Sequence, residues 1–173
     1  MSLSAKLPEA PSFEKLMDAA VHSAVHLEMR DVYEVSQDDA DLTHWRATGR
    51  RREDPGYWAD WVDLIGRAVA RGVPVRRARI ISEPATEYIR FEHAGTGNII
   101  AAGELVRWIP RHRLSAVALP GTDFWLFDHR IVRFGHFSGD GAYVREEWTT
   151  DPAAAHLCAS AFDAAWERGI PHV

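Results

Sequence analysis

Apolar residues recur along this chain in two rhythms, one every three to four positions and one every second position, and the changes between them mark out its elements. Phe13, Leu16, Met17, Ala20, Val21 and Ala24 keep helical spacing, and Ser12 stands where it can cap a helix over residues 13–24. Val25, Leu27 and Met29 then alternate with His26, Glu28 and Arg30, which predicts a strand over residues 25–30. Asp38 or Asp39 opens a short helix through Trp45, and the polar stretch ATGRRREDPG after it reads as a surface loop. The strongest helical pattern covers residues 55–71. Pro55 occupies its first turn, and Trp58, Trp61, Val62, Ile65, Ala68 and Val69 form one stripe. Asp60 and Asp63 precede Arg67 and Arg71, an arrangement that complements the helix dipole, and Gly72 stops the helix.

Residues 74–82 (PVRRARIIS) predict a second strand, and Ser82-Glu83-Pro84 is a helix-start signature leading into ATEYIRFEHAG, closed by Gly95 and Gly97. Residues 105–109 predict a short strand, followed by a long irregular connection, PRHRLSAVALPGTD. Residues 124–127 (FWLF) are apolar on both faces, as a central strand requires. Asp128-His129-Arg130 turns the chain into a strand over 131–137, and Ser138-Gly139-Asp140-Gly141 turns it again into 142–148. Asp151-Pro152 caps a last helix with Leu157, Cys158, Ala161, Phe162, Ala165 and Trp166 on one stripe, stopped at Gly169. The resulting order, α-β-α-α-β-α-β-β-β-β-α, predicts an α+β fold: a mainly antiparallel sheet with flanking helices. A single domain over residues 12–173 is expected behind a flexible tail, residues 1–11.

Composition narrows this picture. A chain of 173 residues buries enough surface to fold without staples. Seven Trp and seven Phe supply much core volume and read mostly as structural, but seven Trp exceed what one small core uses, which predicts an exposed Trp patch making a homodimer. The lone Cys158 cannot form an intramolecular disulfide, there is no signal-like apolar run near the start, and no stretch nears 18 apolar residues. A cytoplasmic protein without a membrane span is expected. The net charge of -5 argues against nonspecific nucleic-acid binding. Of the twenty basic residues only Lys6 and Lys15 are lysine, a bias that a GC-rich coding sequence explains.

Recognisable catalytic machinery is missing. No G-x-x-x-x-G-K-[ST] occurs, Gly95-Thr96-Gly97 lacks a third glycine, and no G-x-S-x-G is present. His22 and His26 share a helical face only if the first helix reaches them, and Ser23 stands where a zinc peptidase needs Glu; no metal and no cofactor are expected. Cys158 lies on an apolar stripe and reads as a small buried hydrophobe. The best local acid–base candidate is Asp128-His129, with Asp123 and His136 near it along the hairpin, although turn chemistry accounts for the pair. Arg50-Arg51-Arg52, Arg76-Arg77-Arg79 and Arg107/Arg111/Arg113 are the phosphate-contact candidates, set against 25 acidic residues and no helix-turn-helix signature. In ARIISEPATEYIRFE, Arg79, Glu83, Arg90 and Glu92 gather around a strand-to-helix turn. They either pair with one another or line an anion or partner pocket at the helix N-terminus.

Several blocks carry a resemblance: ARIISEPATEYIRFE, AAGELVRWIPR, GTDFWLFDHRIVRFGHFSGDG and the closing DPAAA…FDAAWERGIPH. Over residues 12–172 the chain resembles a family of actinobacterial proteins, a domain of unknown function, often encoded beside helix-turn-helix regulators. Ser82, Glu83, Pro84, Tyr88, Arg90, Phe91, Glu92, Gly103, Glu104, Asp123, Phe124, Trp125, Phe127 and Asp128 match its pattern. The resemblance implies context, not mechanism. The closing strands and helix are also distantly similar to half of a phospholipase D domain, whose H-x-K motif is absent here because every histidine follows Lys15. The expected function is a non-catalytic accessory protein that contacts a helix-turn-helix regulator or senses a small ligand, with Arg79, Glu83, Tyr88, Arg90, Glu92, Trp125 and Asp128 as binding residues. The competing readings are a hydrolase acting through Asp128 and His129, and a direct DNA binder.

Overall fold

The computed structural model describes residues 10–34, 39–52, 56 and 58–173. The readings placed on Pro55, on Asp38 and on most of the N-terminal tail lie outside these residues. In chain order the elements are α1 (Phe13–Ala19), β1 (Ala24–Glu28), α2 (Asp39–Thr48), α3 (Trp58–Ala70), β2 (Val75–Ile81), α4 (Glu87–Gly95), α5 (Gly97–Ala101) and β3 (Leu105–Pro110). A 3-10 turn (Arg111–Leu114) follows, then β4 (Asp123–Phe127), β5 (Ile131–Phe137), β6 (Tyr143–Thr149), α6 (Pro152–Arg168) and β7 (Ile170–Pro171). The strands form one sheet in the order β6-β5-β4-β1-β2-β3-β7. β1–β2 and β2–β3 are parallel, while β1–β4, β4–β5, β5–β6 and β3–β7 are antiparallel. The fold is therefore α+β with a mostly antiparallel sheet and flanking helices, as the pattern predicts; α5, the 3-10 turn and β7 are additions.

Each face of the sheet has its own cover. Val25, Leu27, Ala78, Ile80, Phe124, Leu126 and Val132 pack with Ala155, Cys158, Phe162 and Ala165 of α6. The opposite face meets α1 and α3 through Ala24, Val75, Trp125 and Phe127 at one end, and α4 and α5 through Ile89, Ile99, Val106 and Trp108 at the other. Both clusters follow from the period-two alternation of the strands. None of the seven Trp is exposed: Trp108 and Trp125 are buried and the others half-buried, so the predicted Trp patch is not there. No described helix is long and apolar enough to cross a membrane.

Two boundaries differ from expectation because a residue distant in sequence intervenes. α1 stops at Ala19 because the Asp128 carboxylate takes the backbone N–H groups of Val21, His22 and Ser23, drawing the chain out of the helix and into β1. His22 and His26 therefore share no helical face. α4 is capped by Thr86, whose hydroxyl accepts from Ile89 N; Ser82 is engaged by Asp31 through both its N–H and its hydroxyl. Gly141 has φ +100°, and a Cβ there would lie 2.8 Å from the Val32 carbonyl oxygen, so only glycine lets the β5–β6 hairpin lie against residues 32–34.

Candidate functional site

The face of the sheet away from α6 carries charge. His26 and Glu28 of β1 stand beside Arg77 and Arg79 of β2 in parallel register, and all four project from strands whose other face is apolar. Arg77 Nη1 donates to Glu28 Oε1 at 2.7 Å, and its Nε donates to the fully buried Glu104 at 2.6 Å. Arg79 Nη1 donates to Glu92 Oε2 at 2.8 Å, and its Nε lies 2.8 Å from Glu28 Oε2, an ionic contact without hydrogen-bond alignment. Arg51 extends the line, 3.9 Å from Glu92 and 2.7 Å from Asp41. Acids and bases thus alternate from Glu104 through Arg77, Glu28, Arg79, Glu92 and Arg51 to Asp41. Burial alone would raise the Glu28 carboxyl; the Arg79 and Arg77 charges outweigh it and bring it down to about 2.

Beside this line an open cleft of about 260 Å³ lies over β4, β5 and β6, just under the roughly 300–1,000 Å³ usual for small-molecule sites. Its floor is Gly135, which stands between Arg133 and Phe137 on one face of β5 and contributes no side chain. A Cβ at this position would meet the Phe137 ring at 3.2 Å, on the cleft side. Phe13, Trp125, Phe137 and Tyr143 form aromatic walls, and His26, Asp123, Arg133 and Glu146 supply polar atoms. Arg133 holds Glu146 through Nε at 2.7 Å and through Nη2, but its buried Nη1 has no partner. His26 stacks on Trp125 with centroids 4.3 Å apart. Burial, with help from Arg77 and Arg79 and against Glu28, lowers its pKa to about 3, so the imidazole is neutral. Its Nδ1 sits 3.5 Å from Glu28, too long and too poorly aligned for a hydrogen bond. Burial likewise pushes the Asp123 carboxyl up to about 6, against a hydrogen bond from the Tyr33 hydroxyl and with help from the Glu28 charge. The second Asp123 oxygen accepts Met29 N at 2.9 Å.

The residues singled out from sequence do not form one site. Arg79 and Glu92 meet in the buried line, Tyr88 lies against Phe91 and Tyr33, and Trp125 belongs to the cleft. Arg90 turns outward and bonds the Ala85 carbonyl, and Glu83 is exposed beside His112, so no common pocket joins Arg79, Arg90, Glu92 and Trp125. Asp128 and His129, with φ of 52° and 55°, form a left-handed hairpin turn. Burial would raise the Asp128 pKa, yet the N–H groups of Ser23, His22 and Val21 hold it below its ordinary value; its oxygens serve backbone rather than a substrate. Burial pushes the Cys158 thiol up to about 12.

The arginine runs disperse as well. Arg51 is buried on Asp41, and Arg76 lies over the Phe162 and Trp166 rings. Arg107 and Arg113 bond the Trp166 and Arg168 carbonyls at the end of α6, and Arg111 bonds the Met29 carbonyl and Ser82. Among the described residues no three His, Cys, Asp or Glu gather as metal ligands. Sequence reasoning missed Phe13, His26, Glu28, Arg133, Gly135, Tyr143 and Glu146 as site residues. The available signal was polar residues two apart, His26/Glu28 and Arg77/Arg79, inside strands otherwise buried.

Residues 11–173 match the family described as Domain of unknown function (DUF6879). The chain belongs to that family. The match takes in the cleft and the buried charges together. Comparison with curated proteins finds no match. Among solved structures the chain is similar to Nuc, a phospholipase D family member from Salmonella typhimurium, at 14% identity and a TM-score of 0.49, covering 91% of this chain and 86% of that one. It is also similar to TrmBL2, an archaeal chromatin protein with a novel mode of DNA binding, at 13% identity and a TM-score of 0.47, covering 92% of this chain and 48% of that one.

Proposed function

We propose that this protein is a non-catalytic binding protein that holds a small, ring-bearing ligand in the cleft over Gly135 and acts in a gene-regulatory setting. The observation that carries this reading is the cleft itself: aromatic walls, a floor left open by glycine, and the paired Arg133 and Glu146 side chains in its lining. The ionisable groups beside it are engaged elsewhere. Asp123 is held by Tyr33 and Met29, Glu28 by two arginines, and His26 is too weakly basic to accept a proton readily at neutral pH. The likeness to actinobacterial proteins encoded beside helix-turn-helix regulators makes such a regulator the proposed partner, with the ligand biasing their contact.

The test is titration with indole, benzoate and adenosine, followed by tryptophan fluorescence and calorimetry, on the wild type and on Gly135→Leu. The wild type should bind at least one ring compound, and the filled cleft should lose at least about tenfold in affinity. A wild type that binds none of them, or a variant that binds as well, overturns the assignment. A second reading, an acid–base enzyme, draws on one observation: a neutral imidazole and a carboxyl titrating near 6 line the same cleft. Mass spectrometry of the recovered compound separates the two, since binding returns it unchanged and turnover does not.

A further inference from the structure

We propose that the outer edge of β6 is the surface on which a second copy of this chain docks, the two β6 strands running antiparallel about Glu146. β6 is the last strand of the sheet, and among the described residues its outer edge meets other backbone only at its start, through the bridge between Glu34 and Ala142. Such an edge offers unpaired N–H and C=O groups to another strand. Four of its seven residues are exposed, Tyr143 at 56% and Val144 at 61% among them, with Val32 at 44% just beyond.

The sequence of the edge selects both the occupant and the register. Pairing YVREEWT with itself about Glu146 sets Arg145 opposite Glu147, twice by symmetry. Centring on Arg145 would oppose two arginines and centring on Glu147 two glutamates, in each case with no opposite-charge pair across the strands, so of the three registers charge favours the one about Glu146. The two Glu146 carboxylates that meet at the axis are each bound by the Arg133 of their own chain. Charged residues and bulges ordinarily keep edges apart. Here the register shift lies at the start of the strand, beside His136 and Phe137, and leaves residues 145–149 regular. A seven-residue edge buries less than the roughly 1,200 Å² of a stable interface, so the dimer is a weak one.

Sedimentation velocity from about 1 to about 200 µM reads the association, with a midpoint expected in the tens of micromolar. Arg145→Glu and Glu147→Arg should each weaken it about tenfold or more, and the double exchange should bring it back to within about threefold of wild type. Both side chains are largely exposed, and thermal melts establish that every variant is folded. A monomer throughout the range overturns the proposal. So does a dimer indifferent to the single reversals, or a double exchange as impaired as they are. None of these outcomes depends on whether the cleft holds a ligand.

Discussion

Replacing Glu28 by Gln removes one negative charge and keeps the shape of the side chain. In the wild type this carboxylate lies between two buried guanidinium groups, 2.7 Å from Arg77 Nη1 and 2.8 Å from Arg79 Nε. Without it the two arginines face each other on neighbouring strand positions, and only the outer acids Glu104 and Glu92 remain to neutralise them. Breaking a buried ion pair from one side costs about 3–5 kcal/mol. An independent route gives a similar size. The Glu28 carboxyl is held down from 4.5 to about 2, which corresponds to roughly 3 kcal/mol of folded-state stability at neutral pH. Because the folded pKa is the lower one, this contribution is fully present above about pH 5 and is lost as pH falls towards 2. Urea unfolding followed by circular dichroism should therefore show the Gln variant about 3 kcal/mol less stable at pH 7, a large share of a domain's roughly 5–15 kcal/mol. At pH 3 the difference should fall by about half or more. A penalty below about 1 kcal/mol at pH 7, or one that does not shrink at pH 3, would show that Glu28 is not the anion holding the two arginines in the sheet.

Two further outcomes follow from neighbouring groups. The Asp123 carboxyl titrates near 6 in the folded chain against 3.8 otherwise, so its effect has the opposite sign to that of Glu28: stability relative to Asp123→Asn rises as pH falls from about 7 to about 4, by up to roughly 3 kcal/mol. Because the buried His26 opposes this over the same range, the quantity to measure is the stability difference between the two proteins in parallel melts, and a difference flat with pH contradicts the assignment. Asp128→Ala leaves the N–H groups of Val21, His22 and Ser23 without their acceptor and should cost about 1–3 kcal/mol, with hydrogen exchange at those three amides accelerating beyond the change in global stability; unchanged exchange there would mean that the carboxylate does not pin the end of α1.

The strands and helices were legible because each pays off its own pattern locally. The alternation around His26 and Glu28 sets a strand whatever surrounds it, and Asp151 with Gly169 brackets α6 at both ends. Where expectation failed, a distant residue decided the outcome: Asp128, more than a hundred positions away, ends α1, and Asp31 engages Ser82 so that Thr86 becomes the cap. The site failed to show for the same reason on a larger scale. A polar residue at every second strand position looks the same whether its face meets water or another charged strand. Only the parallel register of β1 and β2 sets Glu28 next to Arg79 and reveals the face as a buried line of alternating charge. Gly135 likewise reads as an ordinary strand glycine until β4 and β6 flank it and Phe13 closes one side. The aromatic surplus misled in the opposite direction. Rings counted as too many for one core are placed against arginines instead, Trp108 by Arg79, Trp61 and Trp125 by Arg77, and Trp166 by Arg76 and Arg107. In this fold tryptophan rings pack against guanidinium groups, while the charges of the buried Arg77 and Arg79 are met by carboxylates.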